Sequence, residues 1–177
     1  PPADPANHYD WTFVVIAQVL YCYQQGRPSY QKIVSDVTLG VAITSVVPNT
    51  LNMAGQVGIF RAGGRLGFWD SDDSFAWSNQ DNYADYVPDV LTLAGSSKFI
   101  DVNGRVVTVR GHGPGFIIYC TKSILYVAPN PEQLFQWDVK VIFSNNGIVY
   151  PKQVIEGSPD DTHFAFTRQG MYKITNM

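Results

Sequence analysis

The stretch VGIFRAGGRLGFW, Val57–Trp69, decides how this chain is read. An apolar run reaches Phe60, glycines turn the chain at Gly63-Gly64, and a second apolar run ends on Phe68-Trp69. Two apolar runs around a tight turn are the pattern of paired antiparallel strands. The unit recurs as FIIYCTKSILYVA (Phe116–Ala128) and HFAFTRQGMYKIT (His163–Thr175). Repetition of such a unit points to propeller blades, a solenoid or an array.

Working outward, the chain keeps to strand chemistry. Residues 1–10 hold three of its prolines and read as an extended arm; residues 11–177 read as one β-rich domain. The run WTFVVIAQVLYCY (Trp11–Tyr23) is aromatic and β-branched, which fits a pleated surface. It can be one long strand, two strands with a bend, or a buried helix, and strand is favoured. Val34–Val47 is also β-branched, with a bend or bulge expected at Gly40. Residues 79–97 are polar and read as a long loop, or a loop with one short helical turn near Asp85.

Asn-Gly supplies the positive φ angles of a two-residue hairpin turn. Two more hairpins are therefore expected. One pairs Lys98–Val102 with Arg105–Arg110 around Asn103-Gly104; the other pairs Val139–Ser144 with Ile148–Tyr150 around Asn145-Asn146-Gly147. No amphipathic helix of three turns stands out. The expected class is all-β, either antiparallel propeller-like blades or a sandwich. The three opening hairpins turn at Gly63, Lys122 and Gln169, steps of 59 and 47 residues. The second step approaches a blade period of about 40–50 residues, and the first does not.

Composition narrows the function classes. Of 177 residues, 45% are hydrophobic and only 15% charged. That is too apolar for disorder and below the roughly 25% charge of an ordinary soluble domain. Either a neighbouring subunit covers part of the surface, or the surface is polar and uncharged. The net charge of −3, without a basic stripe, gives no footprint for nucleic-acid backbone. Trp11–Tyr23 is too short for a helix to span a bilayer, and no basic residues precede it as in a signal peptide. The chain starts Pro-Pro-Ala without an initiating Met and reads as a processed product or a piece of a longer protein.

Candidate chemistry is sparse. Cys22 and Cys120 each lie inside an apolar run, as buried free thiols do, and no CxxC or Cys/His cluster offers a zinc site. His8, His112 and His163 are isolated; His112 sits in the glycine-rich GHGPG, and His163 opens a strand as a pleat-edge residue. Asp70-Ser71-Asp72-Asp73 and Asp160-Asp161 have calcium-type oxygens but no EF-hand spacing, so both read as turns. RAGGR (Arg61–Arg65) lacks the GK[ST] ending of a phosphate loop. No nucleophile elbow or acid pair is recognisable, so no enzyme activity, metal or cofactor is expected. The aromatics Trp69, Trp77, Tyr83 and Tyr86, the last two in the polar loop, are candidates for stacking on glycans or anchoring a protein contact. Tyr83, Tyr86, Trp77 and His112 are the candidate binding residues.

One resemblance emerges from the order of these pieces. A hairpin is followed by Ala76-Trp77-Ser78, the loop Asp85-Tyr86-Val87-Pro88, a strand Val106–Val109, the hairpin Ile117–Tyr126, and a closing Gly147–Pro151 with HFAFTRQGMYKIT. Over residues 57–175 this resembles tailed-bacteriophage virion proteins of the tail-nozzle (tail tubular) and head-completion or stabilisation type. The resemblance implies a β-propeller-like structural subunit of the tail or neck, arranged as a homo-oligomeric ring around the channel or sealing it. Its implied partners are other virion proteins: portal, adaptor, tail or receptor-binding subunits. It carries over no catalytic residue. The chain is shorter than such proteins, and Trp11–Val47 matches nothing in their pattern. From the residues alone, a carbohydrate-binding β-module remains the alternative.

Overall fold

The computed structural model describes residues 11–36, 40–99, 103–130, 132, 137–157 and 162–175. The expected arm, His8 and Asp160-Asp161 lie outside them. Within them, fifteen strands form four antiparallel sheets arranged as a four-bladed β-propeller.

Blade 1 is β1 (Trp11–Ile16), β2 (Val19–Gln24), β3 (Tyr30–Asp36) and β4 (Gly40–Val46). Blade 2 is β5 (Gln56–Ala62), β6 (Arg65–Asp70), β7 (Ser74–Trp77) and β8 (Gly95–Lys98). Blade 3 is β9 (Val106–His112), β10 (Gly115–Cys120), β11 (Ser123–Pro129) and β12 (Trp137–Ser144). Blade 4 is β13 (Val154–Gly157), β14 (Thr162–Thr167) and β15 (Gly170–Ile174). Strands neighbour one another in chain order throughout, so every blade is a meander.

The three opening hairpins form as β5–β6, β10–β11 and β14–β15. They occupy unlike positions, since β5–β6 is the first pair of its blade and the other two are second pairs. Their uneven spacing follows from this. The strands that do correspond, β1, β5, β9 and β13, begin at Trp11, Gln56, Val106 and Val154, steps of 45, 50 and 48 residues. The blade repeat is therefore regular.

Trp11–Tyr23 takes the two-strand form of its reading, a hairpin with Ala17 (φ 48°) and Gln18 (φ 64°) in left-handed turn positions without glycine or asparagine. Val34–Val47 is two paired strands rather than one bent strand, and β4 begins at Gly40 with φ 81°. Residues 100–102 of the hairpin expected at Asn103-Gly104 lie outside the described residues, and Lys98 pairs with Ser74 inside blade 2; at Asn145–Gly147, Ile148 N donates to the Cys120 carbonyl rather than pairing with β12. The positive φ values of Gly104 and Asn145 serve the passages from blade 2 to 3 and from blade 3 to 4. The loop over residues 79–97 makes turns but no helix, and ends in β8.

Three hydrophobic seams cement the stack. Between blades 1 and 2, Tyr23 meets Phe68 edge-on at 5.4 Å, among Tyr21, Tyr30, Ile59 and Tyr86. Between blades 2 and 3, Phe60 packs on Phe116 at 4.6 Å, and Trp77 on Trp137 at 5.1 Å. Between blades 3 and 4, Ile117, Tyr119 and Ile124 face Val154, Ala165 and Ile174. Successive residues of one strand serve opposite seams: Ile59 faces blade 1 and Phe60 faces blade 3. Blades 2 and 3 are thus buried on both faces, which explains their unbroken apolar runs. No hydrophobic cluster of the described residues joins blade 4 to blade 1.

Candidate functional site

The first strands of all four blades line a central cleft of about 390 Å³. Phe13 and Val15 come from β1, Ile59 and Arg61 from β5, Arg110 and Gly111 from β9, and Glu156 from β13, with His163 beside it on β14. The cleft has both charge signs. Arg110 Nε lies 3.6 Å from Glu156 Oε1, and the Glu156 side chain is 57% exposed, so this pair contributes little to stability.

His163 is not a pleat-edge residue. It is buried, and its two ring nitrogens are fixed by groups of blade 3. Nε2 lies 3.1 Å from the Gly111 carbonyl, which only accepts, so Nε2 carries the hydrogen. Nδ1 lies 2.7 Å from the Tyr119 hydroxyl. Burial pushes the Tyr119 hydroxyl far up, which keeps it a donor. His112 is not a loop residue: it ends β9, is buried, and sets its ring edge-on to His163 at 5.1 Å. Through His163 this group works as a pin between blades 3 and 4.

The candidate aromatics are placed apart and mostly inside. Trp69 is buried with its ring over Gly58. Trp77 is buried, and its Nε1 donates to the Leu93 carbonyl at 2.9 Å. Tyr86, read as an exposed loop aromatic, is buried and donates to the Leu66 carbonyl at 3.0 Å. Tyr83 is half-buried, edge-on to Tyr21 at 5.4 Å. An apolar ring on a polar loop gains more by packing into the seam than by facing water, so the loop is anchored through its aromatics. Asn49 completes the anchor: Nδ2 donates to Asp85 Oδ1 at 2.8 Å, and Oδ1 accepts from Tyr86 N at 2.7 Å.

The acidic turn is built by its own carboxylate. Asp70 Oδ1 accepts from the backbone of Asp72 and Ser74 at 2.9 and 3.0 Å. RAGGR is the β5–β6 turn, with Gly63 at φ 60°. Cys22 and Cys120 are free and buried, and burial pushes the Cys120 thiol up to about 12. Among the described residues no group of three or more His, Cys, Asp and Glu side chains converges on a metal position, and no helix is long and apolar enough to cross a membrane.

The surface with most chemical character was not anticipated from the sequence. It is the face of blade 1 turned away from blade 2, whose first strand borders the cleft. The register Val15–Leu20–Ile33–Ile43 and Phe13–Cys22–Gln31–Ser45 puts these residues on one face. Phe13 is 54%, Val15 58% and Ile43 65% exposed, and Trp11 stacks on Phe13 at 6.2 Å. The outward flank of blade 4 carries Ile155, Phe164, Phe166 and Met171, of which Ile155 and Met171 are 53% and 62% exposed. A signal existed: WTFVVI does not alternate apolar with polar, as a strand with one wet face does.

No protein-family model matches the chain, and comparison with curated proteins finds no match.

Proposed function

We propose that this chain is a structural subunit of a bacteriophage virion, in the tail or neck, acting through its surfaces in an oligomeric ring. The observation that carries the reading is the exposed apolar character of Phe13, Val15 and Ile43 on blade 1 and of Ile155 and Met171 on blade 4. Exposed apolar patches of this size and order mark interaction surfaces rather than solvated ones. The low charge content and the resemblance over residues 57–175 to nozzle and head-completion proteins support the same reading. Burial of Trp69, Trp77 and Tyr86 argues against these rings as a glycan-stacking platform.

The test is light scattering of the purified chain over a wide concentration range, with negative-stain imaging of any assemblies and immunogold labelling of virions. Ring-shaped assemblies and label at the tail or neck are expected. A chain that stays at 19.7 kDa throughout and labels no virion overturns the proposal.

A further inference from the structure

We infer that the chain holds an oxyanion of the hydrogen phosphate class in a polar cavity at the junction of blades 3 and 4. The cavity, of about 370 Å³, lies where the β10–β11 turn (Thr121, Lys122), the passage Asn145–Gly147 and the β14–β15 turn (Arg168, Gln169) meet. It shares no residue with the central cleft, and the inference stands apart from the oligomeric reading.

The charge comes from the blade repeat. β10–β11 and β14–β15 are each the second hairpin of a blade, so their turns fall at the same end of the stack. Each turn carries one cation, Lys122 or Arg168, and both line the cavity. No carboxylate lines it, and among the described residues neither cation has an ion-pair partner. The equivalent turn of blade 2 carries Asp72 and Asp73 instead. Two cations at one cavity without a counter-charge favour an anion between them, and arginine grips an oxyanion with two parallel bonds.

Asn146 narrows the choice of anion. The residue is only 5% exposed, yet among the described residues neither its Nδ2 nor its Oδ1 has a hydrogen-bond partner. Asn49, by contrast, engages both, with Asp85 and Tyr86. A buried amide in this state calls for a small polar partner. The carboxamide donates from nitrogen and accepts on oxygen, so a partner that answers both needs an acceptor oxygen and a hydroxyl. Hydrogen phosphate has the two together; sulfate and carboxylates at neutral pH only accept. The backbone fixes Asn146 in place. Asn145 at φ 59° turns the chain, Ile148 N donates to the Cys120 carbonyl at 2.9 Å, and a Cβ on Gly147 would collide with that carbonyl. The passage is thus clamped against the β10–β11 turn, which sets Asn146 beside Thr121 and Lys122. Lys122 and Arg168 are exposed, so salt screens them and binding weakens as ionic strength rises.

The experiment is an NMR titration of the full isotope-labelled chain with inorganic phosphate, at fixed ionic strength and slightly acid pH, where phosphate keeps a proton. Saturable shifts are expected at the Asn146 side-chain amide and the Gly147 backbone amide. Sodium sulfate at the same ionic strength should move them far less. Lys122→Gln and Arg168→Gln lie on exposed turns and should each raise the dissociation constant about tenfold, with circular dichroism unchanged. Glycerol phosphate distinguishes the source: equal binding marks a phosphate monoester as the ligand, weaker binding marks the free ion, and either supports the site. The inference is overturned if the Asn146 amide does not respond to phosphate, if sulfate moves it equally, or if both glutamine variants bind phosphate as the parent does. Ordered water is then the partner of Asn146.

Discussion

His163 Nδ1 lies 2.7 Å from the Tyr119 hydroxyl, a buried bond that ties β14 of blade 4 to β10 of blade 3. The other ring nitrogen holds the Gly111 carbonyl on β9, so one side chain pins two strands of the neighbouring blade. Tyr119→Phe keeps the ring packing and leaves Nδ1 without this donor. Losing one partner of a buried bond costs about 1–3 kcal/mol. Chemical denaturation should show that loss, and amide exchange should show it concentrated in β13–β15.

Gly58 and Trp69 stand opposite each other in the β5–β6 register, and a Cβ on Gly58 would enter the six-membered ring of Trp69. Gly58→Ala is expected to cost about 1–3 kcal/mol by overpacking. Adding Trp69→Leu to that variant should recover part of the loss, because the ring that collides is gone. A double-mutant cycle in denaturant measures the recovery.

Asp85 is held below the ordinary carboxylate range, first by the Asn49 amide and next by Val87 N. A lowered folded-state value means the charged form favours the fold. Its contribution is present above the ordinary carboxylate range and is lost as pH falls through the lowered value. Asn49→Ala should move Asp85 back toward its ordinary value, partway, since Val87 N still donates. Carboxyl titration by NMR follows the shift, and limited proteolysis should cut the loop near the exposed Leu91 faster at acid pH.

The seam between blades 1 and 2 concentrates tyrosines, all shifted upward. Burial first, and the neighbouring Tyr83 second, push Tyr21 up to about 12; burial likewise raises Tyr23, Tyr30 and Tyr86. With raised folded-state values, the stabilisation is complete below the ordinary tyrosine value of 10.0 and fades as pH climbs through the raised ones. Alkaline unfolding is expected to begin in this seam. Tyrosinate absorbance and circular dichroism, recorded together against pH, should change in one concerted step rather than residue by residue.

The strand content was legible because Val, Ile, Phe, Tyr and Trp crowd segments such as GIF, FIIYC and HFAF, and glycine turns separate them. The blade order was less so. Asn103-Gly104 and Asn145–Gly147 offer hairpin chemistry, yet the positive φ they supply is spent between blades, where the chain also turns sharply. Conversely Ala17-Gln18 makes a hairpin without turn residues, because the register from Trp11–Gln24 to Ile16–Val19 holds it there. Tyr86 and Trp77 were legible as important rings but not as buried ones, since the seam they enter is built by residues about 20 to 60 positions away. The cleft residues Arg110, Glu156 and His163 meet only through the packing of blade 4 on blade 3, which no local pattern encodes.

That no hydrophobic cluster of the described residues joins blade 4 to blade 1 has a consequence for how the molecule comes apart. A ring fastened all round must break two seams to release any blade, whereas this stack releases an end blade by breaking one. The protein then behaves as a linear array, in which stability depends on position. The middle sheets, held from both sides, set the slowest exchange, and amides of β10 should outlast those of β2 and β14. Fraying from both ends would expose internal seam faces, Tyr119 and Tyr23 among them, before the centre yields. A neighbour seated on either flank would then act as a stopper, raising the resistance of a blade it never touches.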